Sequence, residues 1–331
     1  MNLGNARQHL SRTRTLAVLT CCLLFASLSV SAQSLETRRL SDNMLFIKGP
    51  DSNVLAVKST EGLILVDGGH ADWYDDLRQV LDANFPSTPI RALINTHWHP
   101  DQTGANIPLG REGVEIIAHE NTRQWLGTKI WQRWSGETFE PLPEAGLPTT
   151  IFYEDTDMQI GDQHIYFGHA WNAHTDGDIW VYFEGGNVLV TGGMVSNGRW
   201  PEIDWWTGGY IGGLLDGFVS LLTVPDTSTT IIPAYGDIMT LEELQAQNQM
   251  YLTVFDRFHG SLIDSYSLKD ILAEHHTAEF DAQMGDPTQF MTLAFESFQG
   301  RVRDPQNYRR VEDAQSSAGS FADSEFLEHL E

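Results

Sequence analysis

The sequence predicts a layered α/β domain in which helices cover sheets. Three observations carry this. Short apolar runs of β character are separated by Gly, Pro, Asp and Ser, and amphipathic runs of helical period follow and interleave. A hydrophobic share of 41% over 331 residues, with 11% aromatic, supplies a core and excludes global disorder.

In chain order, residues 44–48, 53–58 and 62–67 read as strands bounded by turn residues. Residues 72–85 place Trp73, Leu77, Val80 and Leu81 on one helical face. Residues 90–95 and 114–118 read as buried strands, and 164–167, 179–183, 187–191 and 230–233 as later ones. Leu214, Phe218, Leu221 and Leu222 form the apolar face of a helix. Thr240 and Glu243 make a capping box that opens a second, carrying Leu244, Tyr251, Leu252, Phe255 and Phe258. Ser267 and Asp270 start a third, with Leu268, Ile271 and Leu272 turned inward. Two aromatic-rich stretches, 127–148 and 197–213, read as long loops. No linker divides the chain, so one domain is expected over 33–300, followed by an acidic, mobile extension at 301–331.

The first 32 residues have another character. Arg7, Arg12 and Arg14 precede an apolar run, Leu16 to Val30, that ends in Val30-Ser31-Ala32. A basic start, a short apolar stretch and small residues before Gln33 describe a secretory signal peptide over 1–32. The run is too short to span a bilayer comfortably, and no later segment is long enough. The expected product is periplasmic or secreted, with no membrane span. Cleavage would remove both cysteines, Cys21 and Cys22, leaving no thiol for disulfides, nucleophiles or metal ligands. The formal charge of −25 argues against nucleic-acid partners, which need a basic surface. The expected partner is a small-molecule substrate.

The densest chemical signal is Thr96-His97-Trp98-His99-Pro100-Asp101-Gln102, directly after a strand. Histidines separated by one residue at a strand end can turn both imidazoles to one point, and His174 begins another polar turn just before a later strand. Three neutral histidines with an open fourth position suit Zn²⁺, and Mn or Fe fit the same set. Such an ion would activate a bound water and polarise a scissile carbonyl. The bland alternative is that these are ordinary polar residues at loop starts.

Leu65-Val66-Asp67-Gly68-Gly69, then His97-x-His99-x-Asp101, His174-Thr175-x-Gly177-Asp178, Val190-Thr191-Gly192-Gly193 and Ile232-Pro233-Ala234-Tyr235-Gly236 resemble the metallo-β-lactamase-fold hydrolases in order and spacing. The resemblance covers most of 40–300. It implies a four-layer αββα sandwich with metal at one edge of the two sheets. It also implies Asp67 as support beneath the ligands and Asp178 as a brace for the loop carrying His174.

The departures are as informative. Gln102, Gly193 and Tyr235 stand where the family has a histidine, a bridging aspartate or cysteine, and a final histidine. All three belong to the second metal position, while His97, His99 and His174 complete the first. One ion is therefore expected. Asp101 is a candidate ligand and a candidate general base, and Gln102 a lesser ligand candidate. Tyr235 reads either as a hydrogen-bond donor to an oxyanion or a substrate carboxylate, or as an aromatic filling a vacated pocket.

Among the other histidines, His70 reads as a surface residue at a helix entry, with a stand-in ligand as its alternative, and His119 as a solvent or cap contact. His169 reads as a pocket wall, and His259, His275 and His276 as surface residues; Asp176 reads as a turn former. Trp131, Trp134, Trp200, Trp205 and Trp206 either clamp a substrate at the mouth of the site or pack the two loops against themselves. Two functions follow. One is an exported metal-dependent hydrolase of an ester, lactone, thioester or amide bond, β-lactams included; the other is a non-catalytic binding protein that keeps the fold.

Overall fold

Alternation along the strands dictates the layering. In residues 44–48, Met44 and Phe46 point to one side, Leu45 and Ile47 to the other, and all four are buried. A strand buried on both faces requires cover on both sides of its sheet. The computed structural model describes residues 35–132 and 134–303, so the signal-peptide segment 1–32 and residues 304–331 of the extension lie outside the described residues.

The first sheet holds β1 (Glu36–Arg39), β2 (Met44–Lys48), β3 (Asn53–Ser59), β4 (Gly62–Val66), β5 (Ile90–Ile94), β6 (Glu115–His119) and, after a small hairpin of β7 (Ile130–Trp131) and β8 (Thr138–Phe139), β9 (Thr150–Phe152). Its first four strands are antiparallel; β4, β5, β6 and β9 are parallel. Parallel neighbours need crossovers. These are supplied by α1 (Tyr74–Asn84), α2 (Pro100–Thr103) with α3 (Asn106–Arg111), and α4 (Glu120–Leu126). The second sheet runs β10 (Thr156–Ile160), β11 (Gln163–His169), β12 (Ile179–Phe183), β13 (Val188–Val190) and β14 (Thr230–Ile232), with only the β13–β14 pair parallel, across α5 (Ile211–Leu221).

Met44, Phe46, Leu55, Val57, Ile64 and Val66 of the first sheet meet Ile165, Phe167, Val181, Phe183 and Val190 of the second. The opposite face of the first sheet packs Leu45, Ile47, Val54 and Leu65 on Leu77, Leu81 and Leu109 from α1 and α3. The outer face of the second sheet packs Trp180, Tyr182, Leu189 and Ile231 on α5, α6 (Leu241–Ile263), α7 (Leu268–Ala273), α8 (Asp281–Met284) and α9 (Thr288–Arg303). This is the four-layer αββα sandwich. No helix among the described residues is long and apolar enough to cross a membrane.

The 127–148 stretch is not all loop, since it folds the β7–β8 hairpin and a 3₁₀ turn at Glu144–Gly146. Helix α9 was not anticipated, and it runs across residue 300. It changes the reading of Trp200, which is not at a mouth. Trp200 stacks on Phe290 of α9 at 4.9 Å, packs beside Tyr251 of α6, and donates its Nε1–H to the Gly285 carbonyl at 3.1 Å. It is 8% exposed, against 45% for Trp206. Trp200→Ala is therefore expected to cost about 3–5 kcal/mol of unfolding free energy in urea titrations. Trp206→Ala should stay within about 0.5 kcal/mol.

Candidate metal centre

The centre is assembled where β4 and β5 end, the edge at which parallel strands present their ligand-binding loops. β5 stops at Ile94, and Asn95 exchanges two amide hydrogen bonds with Asn106 of α3, at 3.0 and 2.8 Å, fixing where the chain leaves the sheet. Pro100 at the first position of α2 presets the turn after His99, whose carbonyl accepts from the Gln102 and Thr103 amides. His97 and His99 therefore leave one turn two residues apart. His174 arrives from the second sheet, between β11 and β12, and the two sheets are joined here by Ile179 N–H donating to Thr96 O at 2.9 Å.

One nitrogen from each of His97, His99 and His174 lies within 4.8 Å of the others, and all three side chains are buried. The rings stand nearly perpendicular to one another, with centroids 4.6–4.9 Å apart. Thr96 Oγ1–H donates to Asp67 Oδ2 at 2.8 Å, so the same hydroxyl accepts from His97 Nδ1 at 3.0 Å. This leaves His97 Nε2 with its lone pair, buried and without a partner in the protein. His99 Nε2 lies 3.1 Å from Asp204 Oδ2. Asp178 accepts from the backbone N–H of His174 (2.6 Å) and of Thr175 (2.8 Å), and His174 Nδ1 sits 3.4 Å from its other oxygen.

Asp67 takes the left-handed backbone conformation, φ +60°, uncommon for a residue with a side chain. Its N–H on Ile94 O and its two bonds from Thr96 hold it there. Burial pushes its carboxyl up to about 8 against those bonds. Burial, then the neighbouring His174 and His99, holds His97 well below its ordinary value. Burial acts the same way on His99, but the bond to Asp204 and the charges of Glu202, Asp204 and Asp101 outweigh it and push His99 up to about 9. A cation in the cluster acts in the opposite sense. Three buried, converging imidazoles, one with an orphaned nitrogen, fit a divalent ion.

The second-position residues form something else. Tyr235 OH donates to Asp101 Oδ2 at 2.5 Å, and the Arg199 guanidinium lies 3.2 Å above the Tyr235 ring. Tyr235 is thus neither a free donor nor a plain core aromatic. Burial, then Asp101, holds its hydroxyl well above the ordinary phenol range. The Gln102 amide is fully buried with neither polar atom hydrogen-bonded. A Cβ at Gly193 would fall 2.4 Å from His174 Nδ1, so this position is closed to any side chain while His174 keeps its place.

The remaining candidates are dispersed. His70 is a partly exposed cap accepting from the Asp72 amide. His119 is buried and makes the expected cap contact, its Nδ1 accepting from the Asn121 amide of α4 at 3.2 Å, and it stacks on His169 at 3.7 Å. His169 donates to Asp176 O, and Asp176 Oδ1 accepts from Trp125 Nε1. His259 and His275 are exposed, and His276 meets Ser261. Trp131 and Trp206 are exposed, while Trp134 and Trp205 are half-buried at 6.3 Å from each other, Trp205 donating to Glu296 of α9. Among the described residues the tryptophan in ring contact with the cluster is Trp98, 4.6 Å from His99 and bonded to Thr207 Oγ1. Trp98, Thr96 and Asp204 were not singled out from the sequence. The first two flank His97 directly, whereas Asp204 carries no local signal.

A family model described as the metallo-beta-lactamase superfamily matches residues 47–237. The chain belongs to that superfamily, whose fold with this histidine group implies a divalent metal. Among solved structures, a metallo-beta-lactamase from Pontibacter korlensis is similar with a TM-score of 0.55 and 19% identity, covering 66% of this chain and 99% of that one. A double mutant of the sec-alkyl sulfatase PisA1 is similar with a TM-score of 0.56 and 15% identity, covering 72% of this chain and 45% of that one. The 2,4-dinitroanisole O-demethylase subunit alpha of Nocardioides sp. (strain JS1661) is 29% identical over 124 residues, 34% of this chain. The match spans only 37% of that relative's length.

Gly193→Ala is expected to displace His174, so metal retained through dialysis should fall at least tenfold, read by elemental analysis. A second outcome concerns acid. Burial, reinforced by His119, pushes His169 down to about 3, so it stays neutral in the fold while the unfolded chain protonates it near pH 6.5. Its stabilising contribution is full above pH 6.5 and falls by about 1.4 kcal/mol per pH unit down to its folded value. Urea midpoints measured from pH 7 to 4.5 should fall less steeply for His169→Gln.

Proposed function

We propose that the protein is an exported, zinc-dependent hydrolase of a small molecule, cleaving an ester, lactone, thioester or amide bond, β-lactams included. The observation that carries the reading is the convergence of His97, His99 and His174 around the partnerless His97 Nε2. Three imidazoles with no thiolate favour zinc over manganese, which prefers oxygen donors. The residue pattern of 1–32 supports export to the periplasm or the medium.

Zinc held by three histidines lowers the pKa of a water to about 7 and polarises a carbonyl oxygen. The chain supplies the rest. Asp101 accepts a proton from the attacking water through the carboxylate oxygen that Tyr235 leaves free. Tyr235, whose hydroxyl keeps its proton, orients that carboxylate rather than donating to the substrate. One ion is expected, because Gly193 offers no ligand for a second and the Tyr235 hydroxyl is turned to Asp101.

The altered second position also favours a non-catalytic ligand-binding protein, and one experiment separates the two. The protein is purified, its metal measured, and turnover assayed on an ester, a lactone, a thioester, an amide and a β-lactam. A methoxyarene joins the panel because the relative's name describes a demethylase of one. The expected result is about one equivalent of zinc and turnover of at least one compound. Asp101→Asn should keep the metal and lose about 10²–10⁴ in kcat. Less than about half an equivalent of metal, with no turnover on added zinc, overturns the hydrolase; full metal without turnover points to the binder.

A further inference from the structure

Asp204 takes no part in the chemistry above, yet it is fully buried beside the cluster, on the 197–213 segment, 105 residues from the histidine it touches. Each of its polar groups has a separate task. Oδ2 faces His99 Nε2 at 3.1 Å, and Oδ1 accepts from the Thr207 amide at 3.1 Å, closing the 3₁₀ turn Trp205–Thr207. Its own N–H donates to the His174 carbonyl at 2.9 Å, and its carbonyl accepts from the Gly209 amide at 2.8 Å. One residue therefore holds the ring of one cluster histidine and the backbone of another.

We propose that Asp204 is a positioning residue for the metal centre: its carboxylate fixes the His99 proton on Nε2 and so turns the Nδ1 lone pair into the cluster. The inference rests on the reading of His97, His99 and His174 as metal ligands. A carboxylate has no hydrogen to give, so the only bond it can make with Nε2 is one in which the imidazole donates. A neutral imidazole that carries its proton on Nε2 has its lone pair on Nδ1. His97 is fixed in the opposite sense, through Nδ1 on Thr96, so the two histidines of one short turn present different nitrogens. That difference allows residues only two apart to converge. Gly209 is part of the arrangement, since a Cβ there would lie 2.2 Å from the His174 carbonyl oxygen.

The test is zinc affinity by chelator competition on purified, metal-stripped protein, with the far-UV circular dichroism of the stripped protein recorded beside it. Asp204→Ala removes both carboxylate bonds and is expected to weaken zinc binding by about 10–100-fold. Because that variant loses the turn as well, Asp204→Asn is the deciding one. An asparagine that keeps its oxygen on the Thr207 amide presents its NH₂ to His99, which forces Nε2 to accept and moves the ring proton to Nδ1. The expected result is a tenfold or greater loss of zinc affinity in a stripped protein that is still folded by far-UV circular dichroism. The cobalt(II)-loaded protein should show the same loss as an altered visible spectrum. Trp205→Phe, which breaks the loop's bond to Glu296, should leave zinc affinity within about threefold of wild type.

Zinc affinity of Asp204→Asn within about threefold of wild type overturns the proposal, as does a loss matched by Trp205→Phe. Wild-type protein that binds zinc tightly but hydrolyses nothing overturns the hydrolase and leaves this proposal standing. Wild-type protein that binds no zinc overturns both.

Discussion

Three imidazoles meeting in a buried space impose a strict requirement: each must have one nitrogen tied outward so that the other can face inward. Thr96 ties His97, Asp204 ties His99, and Asp178 holds the loop and faces the ring of His174. Much of the nearby architecture follows. Asp67 accepts a strained φ of +60° because its two oxygens must take the Thr96 amide and hydroxyl together. The segment 197–213 reaches the cluster through Asp204, whose Oδ2 lies 3.1 Å from His99 Nε2. The two sheets are tied at this edge by Ile179 N–H on Thr96 O.

The same corner shows how the positions beside the three histidines are filled. At residue 193 the His174 ring lies so close that a methyl group would not fit. Tyr235 directs its hydroxyl at the Asp101 carboxylate. Arg199 lies on the ring of that tyrosine and places a positive charge on the Asp101 side of the site. A proton donor thus satisfies one Asp101 oxygen, and a guanidinium covers the donor's ring.

Residues whose role depends on neighbours in sequence were legible. His97, His99 and Asp101 share one turn after one strand, and the capping boxes at Thr240 and Ser267 need only four residues each. Asp67 and Asp178 became visible only through resemblance to a family. Asp204 was invisible because its partner lies 105 residues away and nothing around it departs from ordinary loop composition. The tryptophans failed for another reason. Composition cannot tell an aromatic that covers a site from one that fills a core, and the deciding element for Trp200 was α9. That helix does show an apolar face, with Phe290, Met291, Leu293 and Ala294 buried, so its signal is present in the sequence. Strand β1, Glu-Thr-Arg-Arg and fully exposed, is an edge strand whose charges guard against further pairing and erase the usual apolar signal.

The centre also divides into a rigid half and a held half. His97 and His99 sit on a turn pinned by the Asn95–Asn106 amide pair and by α2, all on the first sheet. His174 and Asp204 sit on loops of the second sheet, and the loops are bonded to each other through Asp204 N–H on His174 O. The loop segment is anchored in turn by Trp205 on Glu296 and Trp200 on Gly285. Local opening in proteins begins where backbone bonds lie outside sheets and helices. The backbone bonds that hold His174 and Asp204 to each other lie outside sheets and helices. Helix α9 meets the outer side of this loop through Glu296 and Phe290, whereas Asp204 carries the loop's contact with the cluster. The bonds from Asp204 to His99 and to the His174 carbonyl therefore hold the centre independently of the α9 contact.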